Sequence, residues 1–322
     1  TGQSTSTPDP LATFTPTPAG PYVTTTLNLP GINLGETAVA SVSLHNVPGD
    51  GYVSAEFTCT YAATLVEASN IVITDLFGAD AVAAINGPQN GSFIVAIAGS
   101  QGNKAATSGV VFTFNVRGLQ TGQSAIECKA RVSKGDNALT DLPSSGAVLT
   151  IFGAFPTSTP IDASTATPFP TFVPSETPTP LPPTTGSLTG QVLASKPVTI
   201  SLYDLNNTLV TSVPANLDGT FNLIDIPSGT YNVLATASGF LSAQGSVSIT
   251  GGNITTLPVV SLPAGDIDNN NVIDQLDALT VGMSYNTAVP AAADLNNDGI
   301  INVLDLGLLA RNYRKTGPVV WE

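Results

Sequence analysis

Asp266-Ile267-Asp268-Asn269-Asn270-Asn271-Val272-Ile273-Asp274-Gln275-Leu276-Asp277 is a twelve-residue stretch punctuated by oxygen-bearing side chains. Asp266, Asp268, Asn270, Asp274 and Asp277 supply side-chain oxygens, and Val272 supplies a backbone carbonyl between them. Twenty-eight residues later the pattern returns as Asp294, Asn296, Asp298, the Ile300 carbonyl, Asn302 and Asp305. All seven Asp residues after position 264 fall on this pattern, whereas a solvated acidic face would scatter its charges. Hard oxygen donors in this number and spacing suit Ca²⁺ better than Mg²⁺ or a transition metal, one ion per loop. Gly299 supplies the sharp turn of the second loop, and Asn271 replaces it in the first because Asn enters the left-handed region readily. Each loop leads into a helical stretch, 277–285 and 305–313.

The spacing is similar to that of EF-hand loops, with Asp rather than Glu closing both. The duplicated loop and helix over 264–316 resembles a dockerin, the plug that cohesin receptor modules bind in bacterial cellulosome scaffolds. The resemblance implies two Ca²⁺ ions and partner-reading residues just before and along each helix. Those are Gln275, Leu276 and Met283 in one repeat and Val303, Leu304, Arg311 and Lys315 in the other. Polar pairs common in the family are replaced here by Leu276 and Val303-Leu304, which implies a more apolar partner face.

Upstream of the loops, composition divides the chain. Residues 1–21 and 154–185 are Pro/Thr tracts, and 155–185 alone hold nine Pro and nine Thr in 31 residues. Proline removes ladder donors and fixes φ, so such a run favours extended polyproline-II geometry and reaches roughly 95 Å. The tracts set off 22–153, 186–262, the loop segment 264–316 and a tail, 317–322. The expected architecture is mainly β: a jelly-roll or β-sandwich, a linker, a second small β-sandwich, then a small α module.

In 22–153, period-two alternation recurs in 22–30, 37–47, 51–61, 91–98, 109–117, 124–133 and 146–152, with shorter pieces at 64–67 and 70–75. Gly, Asn, Asp and Pro fill the gaps, among them Asn86-Gly87-Pro88. Short strands in that number predict a sandwich or jelly roll. Phe93-Ile94-Val95-Ala96-Ile97-Ala98 and Ile71-Val72-Ile73 are apolar on both faces, although a two-layer sandwich should leave one face wet. Either a loop or strand covers the second face, or it is a patch for a partner. Strands Val39–Val47 and Gly51–Tyr61, the Thr64–Glu67 turn strand and Gly109–Val116 leading to Ser124–Val132 resemble a cohesin. The resemblance implies a partner surface on 51–61, 70–75, 91–98 and 124–133, carrying Ile71, Ile73, Ile94 and Ala96.

Cys59 and Cys128 both take the apolar parity of their strands, so both point inward. Two buried thiols in an exported chain favour a disulfide, and two inert core thiols are the alternative. His45 is expected to face solvent. In 186–262, Asp218-Gly219 and Ser228-Gly229 turns between alternating strands predict hairpins. These phrases resemble the carboxypeptidase-regulatory-like sandwich and the X-modules that precede some dockerins, which implies a support role.

The chain has 322 residues, 42% hydrophobic but only 10% charged, with 9 basic against 23 acidic residues. So few cations cannot neutralise several phosphates, which argues against nucleic acid and anionic membrane surfaces. A single histidine removes most metal-hydrolase and Ser-His chemistry. The start at Thr1 reads as a mature or truncated product whose export signal is gone, and no apolar run is long enough to span a bilayer. These features predict a secreted, extracellular or cell-surface, non-catalytic assembly protein. Its partners would be a cohesin-type module through 264–316 and a dockerin-type module through 22–153, with another copy of itself a candidate for both. The alternatives are an adaptor between dockerin-bearing enzymes and a cohesin-bearing scaffold, a polysaccharide-binding or hydrolysing protein, and a glycan-coated stalk with a merely structural Ca²⁺ module. The chain's one Trp lies in the tail and segment 22–153 offers few acidic pairs outside turns, which places the polysaccharide reading low.

Overall fold

The computed structural model describes residues 18–153 and 185–322. Most of both Pro/Thr tracts, and with them the expected polyproline-II geometry, lies outside the described residues. The fold is mainly β, with two α-helices among the described residues.

The first twelve strands are β1 (Tyr22–Leu27), β2 (Gly31–Asn33), β3 (Thr37–His45), β4 (Ser54–Thr60), β5 (Val66–Ile73) and β6 (Val82–Gln89), followed by β7 (Ser92–Ala98), β8 (Gly109–Gly118), β9 (Gly122–Ser133), β10 (Thr140–Leu142), β11 (Ser144–Ser145) and β12 (Ala147–Phe152). They form two sheets, β11-β1-β3-β8-β5 and β2-β12-β9-β4-β7-β6, with β10 added to β9. Alternation explains the layering. Ala38, Ala40, Val42 and Leu44 of β3 and Phe112, Phe114 and Val116 of β8 point inward, toward Phe57 of β4 and Phe93, Val95 and Ile97 of β7. Edge-on ring contacts, Phe57 with Phe112 at 5.3 Å and Phe93 with Phe114 at 5.0 Å, fill the space between the sheets. Cys59 and Cys128 are register partners on β4 and β9, and a disulfide joins them.

Two strand expectations change. Residues 70–73 belong to β5, which pairs with β8 in the opposite sheet from β4, β7 and β9, and 74–75 open a 3₁₀ turn, so Ile71 and Ile73 lie off the expected partner surface. Both pack against the sandwich's own core. Alternation fixes which side chains face inward, but not which sheet a strand joins. The place expected for 70–75 is taken by β6, which runs through Asn86-Gly87-Pro88, residues that read as turn. His45 stacks on Tyr22 at 4.6 Å and hydrogen-bonds Thr24 Oγ1 at 2.9 Å, so it is a half-buried cross-strand partner.

The second body contains β13 (Thr185–Leu193), β14 (Thr199–Tyr203), β15 (Leu209–Pro214), β16 (Thr220–Pro227), β17 (Gly229–Thr236), β18 (Ala243–Ile249), β19 (Ile254–Thr256) and β20 (Val260–Ser261), then α1 (Gln275–Met283), α2 (Val303–Arg311) and β21 (Val319–Val320). Its sheets are β16-β13-β19, with β20 also on β13, and β15-β14-β17-β18-β21. The last strand corrects the reading of 317–322 as a tail. Val319 and Val320 pair in parallel with Ala243 and Gln244, and Trp321 is 1% exposed. Its Nε1 donates to Pro258 O at 2.8 Å and its ring meets Phe221 edge-on at 5.8 Å. The chain thus returns from the helices to close the middle sandwich.

One apolar cluster runs from Leu188, Ile200 and Val233 of that sandwich through Phe240 and Leu241 to Ile273, Val281, Leu306 and Leu309 of the helical segment. Polar contacts cross the same seam: Lys196 Nζ donates to the Ala291 carbonyl, Ser195 Oγ to Leu295 O, and Gly265 N to Gly239 O at 2.8 Å. The middle sandwich and the helices share one core.

Candidate functional site

The two loops repeat each other in atomic detail. Asp266 Oδ1 accepts from Asn270 N at 2.9 Å and Oδ2 from Asn271 N at 3.1 Å. Asp294 accepts from Asp298 N at 3.1 Å and Gly299 N at 3.0 Å. At the far end Asp277 accepts from Ile267 N, Asp268 N and Asp274 N at 2.7, 3.2 and 2.9 Å. Asp305 accepts from Leu295 N, Asn296 N and Asn302 N at 2.7, 3.2 and 2.8 Å. Asp274 caps α1 through Leu276 N and Asn302 caps α2 through Leu304 N, each at 2.7 Å, so both helices begin two residues before the expected start. Asn271 sits at φ 65° and Gly299 at φ 90°, the left-handed turn each loop needs.

These carboxylates are out of water. Asp277 and Asp305 are fully buried and Asp266 is 1% exposed. Burial pushes Asp266 and Asp277 above the ordinary carboxylate range and Asp305 up to about 6, against the opposing pull of the backbone N–H donors. Carboxylate oxygens of Asp266, Asp268 and Asp277 lie within 4.8 Å of one another. Among the described residues no ion pair joins a Lys or Arg to any of the seven loop aspartates. An all-oxygen donor set in which the buried Asp266, Asp277, Asp294 and Asp305 stand with the exposed Asp268 and Asp298 fits a hard divalent cation.

The helices sit on the first sandwich. α1 lies along β6, and α2 crosses β7, β4 and the 3₁₀ turn Ser100–Gly102. The outward parity of β6 and β7 (Val82, Ala84, Ala96, Ala98, with Ile94 at the margin) joins the apolar cluster of Ala278, Val281 and Leu306. The double apolarity of 91–98 therefore has a structural reason: its inner face fills the sandwich and its outer face meets the helices.

Polar bonds frame this contact. Asn86 Nδ2 donates to Gly282 O at 3.1 Å, Gln275 Nε2 to Ala83 O at 3.5 Å and Arg311 Nη2 to Gly135 O at 3.2 Å. Arg314 pairs with Asp80 at 3.1 Å. In the middle, the Tyr285 hydroxyl donates to Glu56, whose other oxygen accepts from Arg131 Nη2 at 2.7 Å. Burial pushes the Tyr285 phenol well above its ordinary range, with the Glu56 charge adding to the shift.

Of the residues expected to read a partner, Gln275, Arg311, Ile94 and Ala96 lie in this contact. Leu276 and Met283 are 57% and 73% exposed. Lys315 bonds Asn312 within its own segment. Val303 is fully buried at the head of α2, and Leu304 is half-buried. Gly282, Tyr285, Arg314, Glu56, Asn86 and Arg131 are contact residues that motif reading passed over. Two signals pointed to them: Tyr285 and Tyr313 recur at the repeat distance, and Glu56 is an acid in the middle of an otherwise uncharged strand.

No protein-family model matches the sequence, and no curated protein matches it. The chain is similar in structure to the seventh ScaB type I cohesin from Pseudobacteroides cellulosolvens, at 16% identity and a TM-score of 0.35, over 43% of this chain and 97% of that one. It is also similar to a cohesin module of a family 33 glycoside hydrolase from Clostridium perfringens, at 19% identity and a TM-score of 0.36, over 41% and 98%. A chain of a type II cohesin–X-dockerin complex from Acetivibrio cellulolyticus is matched at 21% identity and a TM-score of 0.34, over 41% and 97%.

Proposed function

We propose that this protein is a non-catalytic extracellular assembly protein. Its C-terminal segment, ordered by two Ca²⁺ ions, is a plug for the outer face of a sandwich of its own kind. Asp266, Asp268, Asn270, the Val272 carbonyl, Asp274 and Asp277 would hold one ion. Asp294, Asn296, Asp298, the Ile300 carbonyl, Asn302 and Asp305 would hold the other. The cations would offset the repulsion among buried carboxylates, and so couple folding of both helices to metal. The observation that carries the reading is the seating of α1 and α2 on β6, β7 and β4, which gives the outward apolar parity of that sheet an occupant from the same sequence. The same observation favours self-pairing over an adaptor between foreign partners. The Cys59–Cys128 bond supports an oxidising, exported setting.

Made within one chain, the pairing closes the molecule. Made between chains, it is head-to-tail and heterologous, and unless the rotation closes a ring it propagates as a filament. The middle sandwich, sharing its core with the plug, serves as the plug's base. Light scattering on the full chain across a concentration series, with saturating Ca²⁺ and with chelator, tests the assembly. Mass that grows with concentration only in Ca²⁺ supports the filament, and a monomer at every concentration overturns it.

A further inference from the structure

Glu56 is 4% exposed on β4, one of the strands that α2 crosses. One of its oxygens is satisfied inside the sandwich: Arg131, its register partner on β9, donates Nη2 and Nε to Oε1 at 2.7 and 3.2 Å. The other, Oε2, accepts from the hydroxyl of Tyr285, just beyond the end of α1 and itself 5% exposed. Before docking, this outward-facing oxygen can be solvated. After docking it is dry, and it must find a donor on whatever covers the face. A plug of the same shape with no hydroxyl at this place would bury a carboxylate oxygen unpaired, a large penalty because the lost partner belonged to a charge. Tyr313, at the equivalent place in the second repeat, donates to Gln275 Oε1 at 3.4 Å, its one hydroxyl partner among the described residues.

We infer that the Glu56–Tyr285 pair is the specificity determinant of this receptor face, selecting plugs that bring a phenol to β4, beside the apolar patch of β6 and β7. The selected partner is this chain's own C-terminal segment, from the same molecule or a second copy. The inference rests on the pairing proposed above. Apolar contacts from Ala84, Ala96 and Ala98 accept many helix faces, and the buried carboxylate rejects those without the hydroxyl.

Hydrogen exchange on the full chain in saturating Ca²⁺, read on peptides covering 82–98, reports how often the face is uncovered. Tyr285→Phe keeps the ring and removes the donor, and its protection there should fall about a hundredfold. Combining it with Glu56→Leu removes the orphaned acceptor and should restore protection to within about tenfold of the unmodified chain, a rescue that a purely structural Tyr would not show. Exchange in β8, on the opposite sheet, checks that the sandwich stays folded. Calcium-dependent protection of 82–98 that is the same in Tyr285→Phe as in the unmodified chain, or a double variant no better than Tyr285→Phe, overturns this assignment alone. An unmodified chain whose 82–98 exchange ignores Ca²⁺ overturns the pairing, and the assignment with it.

Discussion

Gly282 of α1 lies directly against Ala84 of β6: a Cβ on Gly282 would stand 3.0 Å from the Ala84 Cβ and 3.2 Å from the Ile85 backbone nitrogen. The helix can approach this closely only because the position has no side chain. The Ile85 nitrogen cannot retreat without disturbing its ladder with Val95. Gly282→Val should therefore abolish the docking while leaving the core of the helical segment formed. Gly282→Ala separates two effects, because it should stabilise α1 by roughly 1 kcal/mol through helix propensity yet weaken docking. Calorimetry on the Ca²⁺-loaded chain, beside exchange rates in β6, reads both. Docking of Gly282→Val as tight as that of the unmodified chain would remove the close approach from the account.

Chelation should reach further than the loops. A helical segment that stood apart from the middle sandwich, as the division into 186–262 and 264–316 implies, would melt alone and leave both sandwiches intact. The shared core narrows that expectation, since Phe240, Leu241 and Trp321 tie the middle sandwich to the helices and the strand that follows them. The chain's one Trp is Trp321, so its fluorescence reports on this core. Removing Ca²⁺ should shift its emission to the red and lower the melting temperature of 185–322. The first sandwich, with its own core and disulfide, should keep its transition. Emission unchanged on chelation while helical signal is lost would show that the middle sandwich stands alone.

The disulfide should matter to one body only. Cys59 and Cys128 close a 69-residue separation inside the first sandwich. Loop entropy assigns such a link roughly 4 kcal/mol. Reduction, or a paired Cys59→Ala and Cys128→Ala variant, should lower the urea midpoint of 22–153 without moving the Trp321 transition. A loss below about 1 kcal/mol would mean that the reduced chain retains structure that does the same work.

How much of this was legible in the sequence follows from the range of each interaction. The loop repeat could be read because its twelve positions are contiguous, and backbone geometry alone brings their oxygens together. Strand parity could be read for the same reason, which is why Cys59 and Cys128 were assigned inward. The sheet to which 66–73 belongs could not, because pairing with β8 joins residues some 45 positions apart and leaves no local mark. β6 was hidden by Asn86-Gly87-Pro88, turn residues tolerated here at its irregular end. Trp321 was hidden by the shortness of β21, two residues that form a strand only because β18 offers an edge. Tyr285 and Glu56 lie 229 positions apart, and no spacing rule connects them.

The contact between Arg314 and Asp80 gives the most direct test of the pairing itself. Both side chains are about half exposed, so the ion pair contributes little and the positions tolerate replacement. Asp80→Cys with Arg314→Cys places two reactive thiols across the interface, and the native cysteines are bonded to each other and stay silent. A short bis-maleimide applied to the full chain should cross-link them in Ca²⁺ and fail to do so in chelator. Non-reducing gels then show whether the link closes single chains or joins them into a ladder. A cross-link that does not form in Ca²⁺, or that forms equally without it, would contradict the claim that a calcium-ordered plug occupies this face.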